Sequence, residues 1–126
     1  MSVTYLASPY SHPDPTVRHK RFEDVCRVAA DLMVRGEVIF CPIAHSHPID
    51  LIGGNLPQTT AFWMAMDLPI LRMCDRVKVL MLDGWRQSKG VAAEIKAAEA
   101  VGIPVEFIAH ADGAVHPVSW GLYDDE

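Results

Sequence analysis

Residues 77–100, VKVLMLDGWRQSKGVAAEIKAAEA, decide the fold of this chain. The segment begins with a largely apolar run, Val77 to Leu82, interrupted only by Lys78, which is typical of a parallel strand covered on both faces. After a short turn, Ser88 can cap a helix because its hydroxyl can accept from the first helical N–H groups. A strand, a tight loop and a capped helix build the crevice at the carboxyl ends of the strands in open α/β sheets. We therefore expect a site at this loop, where the free amides of the helix start attract anions such as phosphate.

The length and composition of the chain indicate one domain, residues 1–126, with a core large enough to fold without disulfides or metals. No apolar run approaches the roughly 18 residues of a membrane span, and the N-terminus lacks the regions of a signal peptide. The net charge of −5, with no basic run, argues against a nucleic-acid polymer as a partner. Three cysteines without CxxC spacing are expected to be reduced thiols of a cytoplasmic protein: Cys26, Cys41 and Cys74.

Strands and helices alternate in the predicted order of elements. Apolar runs predict four strands: Val3–Ala7, Val38–Cys41, Val77–Leu82 and Val105–Ile108. Helical periodicity predicts helices over Pro15–Arg35, from Thr59 or Thr60 to about Met73, and after Ser88. Because crossovers between parallel strands are right-handed, this order favours a small, doubly wound parallel sheet with strand order 2-1-3-4.

Three segments are predicted to depart from regular structure. Pro42–Gln58, PIAHSHPIDLIGGNLPQ, is long for a strand-to-helix connection and is expected to be a binding loop or a lid. Pro69 lies inside a helical pattern and suggests a kink, or a helix that begins nearer Asp67. The tail, residues 110–126, is expected to be polar and rich in turns.

Three motifs along the chain together resemble a known superfamily. They are an opening strand ending in Tyr-Leu-Ala-Ser-Pro, an Asp-Leu pair in the central helix, and Ser-x-Gly-x-x-x-Glu after a strand. Their order resembles the nucleoside 2-deoxyribosyltransferase superfamily, which includes nucleoside 5′-monophosphate N-glycosidases, from Thr4 to about Pro104. The chain is also similar to a short, DUF1937-like branch that opens with a Ser-Pro-Tyr-Ser loop. The resemblance implies a flavodoxin-like α/β fold of three α/β/α layers with four to five strands, cleavage or transfer at a C1′–N bond, and a homo-oligomer.

The resemblance also implies three catalytic residues. Glu94 takes the position of the nucleophile, Asp67 that of an Asp that positions the base or Glu94, and Tyr5 that of a Tyr that contacts the nucleophile. The chemistry agrees, because a carboxylate can stabilise or bond to the oxocarbenium-like C1′ that develops on cleavage. The helix start is expected to favour the ionised form of Glu94. Without the motif, these residues are ordinary: a solvated helix Glu, a surface Asp and a core Tyr.

Binding residues are predicted at the ends of the first and third strands. The Ser88 hydroxyl and the amides around Gly90 are expected to contact a phosphate, although Ser88 is equally expected as a plain helix cap. The superfamily resemblance places Ser here in nucleotide hydrolases and Asp in nucleoside transferases. The loop with Ser8, Tyr10 and Ser11 should line the same crevice, because its strand is adjacent to the central one.

The first loop departs from the superfamily pattern. The nucleotide hydrolases carry glycines and an Arg in this loop, whereas this chain has Pro-Tyr-Ser-His. A cation for the phosphate would have to come from one of three neighbouring residues: Arg18, His19 or Lys20.

Histidines and tryptophans supply the remaining candidates. His45 and His47 could chelate zinc, with Asp50 nearby, but two ligands do not make a site, and we favour polar histidines that line a pocket, His45 among them. Trp85 is the best candidate for stacking on a nucleobase, because it lies just before Ser88. We expect no metal and no cofactor.

The sequence thus predicts a protein that binds a small nucleoside or nucleotide and cleaves its N-glycosidic bond. The alternatives are base exchange by a nucleoside deoxyribosyltransferase, and a non-catalytic module that senses a nucleotide derivative. A membrane partner is not expected. Apolar residues in the central helix and the tail predict a symmetric dimer or larger closed oligomer: Phe62, Trp63, Met64, Met66, Trp120 and Leu122.

Overall fold

The computed structural model describes residues 2–111 and 114–118, with side chains for residues 2–109. Within this part of the chain, the strands form one sheet in the order β2-β1-β3-β4-β5. The strands are β1 (Val3–Ala7), β2 (Val38–Phe40), β3 (Arg76–Leu80), β4 (Val105–Ala111) and β5 (Ala114–Val118). The first four are parallel, and β5 is antiparallel to β4. The predicted order 2-1-3-4 is therefore confirmed, with β1 beside the central β3.

Helices cover both faces of this sheet. They are α1 (Pro15–Val34), α2 (Pro42–Gly53), α3 (Thr60–Leu71) and α4 (Lys89–Ala100), with a short 3₁₀ turn at Trp85–Gln87. None of the helices in the described residues is long and apolar enough to cross a membrane. Three of the helices begin at the side-chain caps that Asp14, Thr59 and Ser88 provide, each accepting from a backbone N–H two or three residues later.

Two buried clusters hold the three layers together. The layer of α1 and α2 packs on the sheet through a cluster that includes Leu6, Val25, Leu32, Ile43 and Leu80. The layer of α3 and α4 packs on the opposite face through Tyr5, Leu71, Val77, Val79 and Val91. Because β1 and β3 contribute to both clusters, their segments are apolar on both faces, as the flavodoxin-like prediction requires.

The prediction of a binding loop over Pro42–Gln58 is wrong for the first part of that segment, because Pro42–Gly53 forms helix α2. Pro42 takes the first helical position, where a missing N–H costs nothing. Ile43 and His47 lie four positions apart on one buried face, which anchors the helix to the sheet despite Pro48 within it. The connection proper is short and starts at Gly54, where φ is 69°.

Two further expectations are corrected by the elements themselves. Helix α3 starts at Thr60 and runs through Pro69 to Leu71, so it does not begin nearer Asp67; the missing N–H of Pro69 removes one hydrogen bond from its last turns. The tail is not all turns, since Ala114–Val118 forms β5, which pairs with β4 and becomes the edge strand of the sheet. Residues 119–126, with Trp120 and Leu122, lie outside the described residues.

Candidate active site

A cavity of about 260 Å³ lies at the carboxyl ends of β1 and β3. The loop after β1 contributes Ser8, Tyr10 and Ser11 to its wall, together with residues of α2, α3 and the start of α4. These elements converge there because β1 and β3 pair in register, Tyr5 with Val77, and therefore end at the same edge of the sheet. The sequence-based prediction of the site's place in the fold agrees with this cavity.

Glu94 lines the cavity, and its hydrogen-bond partner Tyr5 lies outside the lining. The Tyr5 hydroxyl donates a hydrogen bond to Glu94 Oε2, and the two side chains are almost fully buried. Burial raises the pKa of Glu94 to about 8, while the hydrogen bond from Tyr5 opposes this rise and the nearby Asp67 charge adds to it. The helix start was expected to hold Glu94 in its ionised form, and this expectation is wrong, because desolvation outweighs the other effects.

Asp67 places a second carboxyl in the same cavity. Its side chain lies on α3 and is buried, and it lines the cavity together with Glu94. Burial raises the pKa of Asp67 to about 6, with the His45 charge acting in the opposite direction. Two carboxyls with raised pKa values in one cleft are typical of sites that carry out general acid–base catalysis.

The start of α4 forms a polar end of the cavity. Ser88 Oγ accepts from the Val91 N–H at 3.1 Å, which leaves the hydroxyl proton free to donate to a ligand. Gly90 lies in the wall, where a Cβ would meet Met64 and Ser88 at ordinary contact distances of 3.6 and 3.8 Å. Lys89 also lines the cavity and brings a cation to the helix start. Both roles predicted for Ser88, cap and ligand donor, are therefore compatible.

The loop after β1 is held in place by a guanidinium. Arg21 donates to the Ser11 carbonyl at 2.9 Å and to the Asp83 carbonyl at 3.2 Å, which ties the β1 loop to the loop after β3. Within the same loop, the Ser8 hydroxyl lies in the cavity wall, buried and without a hydrogen-bond partner among the described residues. A buried hydroxyl without a hydrogen-bond partner lowers the stability of the fold unless a ligand supplies that partner.

Several predicted residues lie elsewhere. Trp85 is not among the described residues that line the cavity, and its ring packs against Phe107 with centroids 5.5 Å apart. The 3₁₀ turn directs it towards β4, so the stacking prediction for Trp85 is corrected. His45 is exposed and lies outside the lining, and reaches the site only through its charge on Asp67.

The three candidate cations also lie outside the cavity lining. Arg18 donates to the His12 carbonyl, Lys20 pairs with Asp24 at 2.9 Å, and His19 lies beside His47. Among the described side chains, no group of three or more His, Cys, Asp and Glu is arranged to hold a metal ion.

Several residues of the cavity wall had no binding role in the sequence analysis, and two of them bear on its chemistry. Lys89 was overlooked although it lies between the two predicted phosphate contacts. Trp63 was assigned to the core or an interface, yet its buried indole also lines the cavity. His47 was expected to line a pocket from a loop; it lines the cavity from helix α2, which the helical spacing of Ile43 and His47 could have indicated.

The elements define a flavodoxin-like α/β fold, and this fold is similar to that of a nucleoside 2-deoxyribosyltransferase. The structure of a 2-deoxyribosyltransferase from the psychrotolerant bacterium Bacillus psychrosaccharolyticus matches with a TM-score of 0.61 and 21% sequence identity, over 86% of this chain and 72% of that one. A family model described as "Domain of unknown function (DUF1937)" matches residues 2–110, and the chain belongs to this family. No curated protein shows a significant match.

Proposed function

We propose that this protein cleaves the N-glycosidic bond of a nucleoside 5′-monophosphate, with Glu94 acting at C1′. The observation that carries the proposal is the buried Glu94 carboxyl, which accepts a hydrogen bond from Tyr5 and lines a cavity that Asp67 also lines. A buried carboxyl is poorly stabilised as an anion in the empty site, so it gains most when a positive charge develops beside it. Cleavage of a glycosidic bond develops such a charge at C1′.

The three residues divide the chemistry between them. In the empty site the proton is on Glu94, because its pKa of about 8 exceeds the value of about 6 for Asp67, so the reaction requires this proton to move from Glu94 to Asp67. As the C1′–N bond breaks, its electron pair goes to the base nitrogen, which takes the proton from Asp67. The Glu94 carboxylate bonds to C1′ or stabilises its charge, and Tyr5 keeps one carboxylate oxygen oriented. Water then attacks C1′ and gives its proton to Asp67, and any bond between C1′ and Glu94 breaks with its electron pair returning to the carboxylate. The proton then returns from Asp67 to Glu94, which restores the starting state.

The polar end of the cavity supports a phosphorylated substrate. The amides of the α4 start, the Ser88 hydroxyl and the Lys89 ammonium all favour a dianionic group, and the Ser8 hydroxyl has no other partner among the described residues. Ser88 and Lys89 thus supply the phosphate contacts that the altered first loop does not.

Base exchange between deoxyribonucleosides is the second candidate. It is favoured by the likeness in fold to a 2-deoxyribosyltransferase, and it differs from hydrolysis only in whether a second base or water reaches C1′. A third possibility, a sensor without catalysis, uses the same cavity.

One incubation separates these three functions. The purified protein is mixed with nucleosides and nucleoside 5′-monophosphates, each with and without a second free base, and the products are followed by chromatography. Free base from a monophosphate alone supports the proposal. A new nucleoside that forms only when a second base is present supports exchange. Binding in a thermal-shift assay without any product leaves the sensor.

A further inference from the structure

Aromatic side chains from the β1 loop, α2 and α3 form part of the cavity wall. Tyr10, His47 and Trp63 all line the cavity, and the Tyr10 ring lies edge-on to His47 and Trp63, with centroids 5.5 and 6.1 Å away. A nucleobase presents an aromatic face, whereas a ribose and a phosphate do not, so this wall suits the base end of a nucleotide. The Tyr10 hydroxyl then meets polar groups on the edge of the base.

A chain of polar contacts leads from this hydroxyl to the outer surface. Tyr10 Oη lies 2.7 Å from His47 Nδ1, and His47 Nε2 lies 3.1 Å from His19 Nδ1. His19 Nε2 lies 3.6 Å from Glu23 Oε2, and the His19 side chain is half exposed. His47 is buried and borders both the cavity and the cleft that lies between α1 and α2.

Two hydrogen arrangements satisfy the contacts among Tyr10, His47 and His19, and only the first also leaves a neutral His19 an N–H for Glu23. In the first, the Tyr10 O–H donates to His47 Nδ1, and His47 Nε2–H donates to His19 Nδ1, so that Tyr10 offers the cavity a lone pair. In the second, His19 Nδ1–H donates to His47 Nε2, and His47 Nδ1–H donates to Tyr10, so that Tyr10 is free to donate its own proton into the cavity. Each neutral imidazole carries one N–H, which allows either arrangement.

We propose that the Tyr10 hydroxyl contacts the edge of the nucleobase and that His47 determines whether this hydroxyl accepts or donates, which makes the pair a base-specificity element. This inference rests on the proposed nucleotide-binding function and extends it to the class of base. A keto group on the base requires a donor and selects the second arrangement, and an amino group requires an acceptor and selects the first. The neutral pair therefore accommodates both kinds of base.

Protonation of His47 removes this freedom. An imidazolium donates from both nitrogens, so Tyr10 can no longer donate to His47 and turns its proton towards the ligand or towards Asp50, 3.4 Å away. Burial lowers the pKa of His47, the His19 and Arg18 charges lower it further, and Asp50 opposes them. His47 is thus neutral at neutral pH and becomes charged only below the usual histidine range, where it favours keto bases.

The test compares the affinities of matched keto and amino nucleotides as the pH is lowered. The Glu94→Gln protein is titrated calorimetrically with inosine and adenosine 5′-monophosphate, and with uridine and cytidine 5′-monophosphate, at pH about 7.5 and about 5, on either side of the ordinary histidine range. Within a pair the phosphate is the same, so its own titration cancels in the ratio. His47→Leu and Tyr10→Phe are compared in the same background. His47→Gln replaces His47→Leu where leucine prevents folding, because it stays polar without titrating.

We expect affinities within about tenfold for the two members of a pair at neutral pH, and a shift of about threefold or more towards the keto member in acid, the size of part of one hydrogen bond. The shift should vanish in both His47 variants, and Tyr10→Phe should weaken both members. An unchanged ratio, a shift that survives without His47, or binding of none of these nucleotides would overturn the inference. If the wild type releases base but the affinity ratio does not shift with pH, the cleavage proposal stands and the base-specificity proposal fails. If the ratio shifts but the wild type releases no base, base recognition stands without cleavage.

Discussion

The Tyr5 hydroxyl donates a hydrogen bond to the Glu94 carboxyl, although 89 positions separate the two residues along the chain. Tyr5 lies at the middle of β1 and Glu94 at the middle of α4, so the contact crosses from the sheet to the helical layer. Both groups are buried, and the pKa of each is raised chiefly by that burial. Tyr5 therefore provides a hydrogen-bond partner for the buried Glu94 carboxyl, which lines the cavity.

Replacing Tyr5 by phenylalanine should shift the pH dependence of turnover. The Tyr5 hydrogen bond lowers the pKa of Glu94, so its loss should raise that pKa further and reduce the ionised fraction. Turnover in Tyr5→Phe should fall by about tenfold for each unit of that rise at neutral pH, and its deficit relative to the wild type should shrink as the pH is increased. A pH–rate profile checks this. A loss of turnover that is the same at every pH would instead mean that Tyr5 only supports the structure.

Glu94→Gln should make the protein more stable in alkaline solution. Because the pKa of Glu94 is raised to about 8 on folding, the folded state holds a proton that the unfolded state has lost. The stability of the wild type should therefore decrease as the pH rises from about 4.5 towards about 8, whereas glutamine does not titrate.

We expect Glu94→Gln to exceed the wild type by about 1–3 kcal/mol in unfolding free energy near pH 8 and to approach it near pH 4, as measured by urea denaturation. Equal differences at both pH values would show that Glu94 is not perturbed by burial.

Ser88→Asp should distinguish a phosphate contact from a helix cap. Aspartate caps a helix as well as serine does, so the stability of α4 should be retained while a negative charge enters the anion end of the cavity. Binding of a nucleoside 5′-monophosphate should weaken by about tenfold or more, and binding of the unphosphorylated nucleoside should change little.

Lys89→Gln should act in the same direction, and Lys96→Gln is its matched control, because Lys96 lies exposed on the same helix and is not part of the described cavity wall. Calorimetric titration of the three variants checks both expectations. Equal losses of affinity for the nucleoside and the nucleotide would show that the phosphate does not bind at this end of the cavity.

The protein should form a symmetric dimer or a larger closed oligomer through α3. The monomer itself buries Trp63 and partly covers Phe62 and Met64, so the prediction now depends on Met66 and Met73, which are 51% and 74% exposed. Sedimentation at micromolar concentration should show the oligomer, and Met66→Glu should dissociate it. A wild-type monomer at that concentration would refute the prediction.

Local signals account for most of what the sequence predicted. The apolar runs of β1 and β3, the cap at Ser88 and the crossover rule are properties of short segments, and they placed the predicted site at the edge of the sheet where the cavity lies. Helix α2 was missed because Pro42 and Pro48 are loop signals locally, and only burial of Ile43 and His47 against the sheet stabilises the helix.

The arrangement within the cavity depends on tertiary contacts that no local pattern encodes. The meeting of Tyr10, His47 and His19 requires α1 and α2 to pack side by side. The 3₁₀ turn sends Trp85 towards β4, which a count of residues before Ser88 could not indicate. The raised pKa of Glu94 likewise follows from the burial of its side chain, not from the position of Glu94 in the helix.

The most direct test measures release of free base from nucleoside 5′-monophosphates by the wild type and by Glu94→Gln, with binding affinity measured in parallel. Glutamine keeps the volume of Glu94 and can still accept from Tyr5, but it carries no charge. We expect the wild type to release base, and the variant to lose turnover by orders of magnitude while its affinity stays within about tenfold, because the charge at C1′ exists only in the transition state. A wild type that binds nucleotide but releases no base, or a Glu94→Gln variant that turns over at the wild-type rate, would contradict the account.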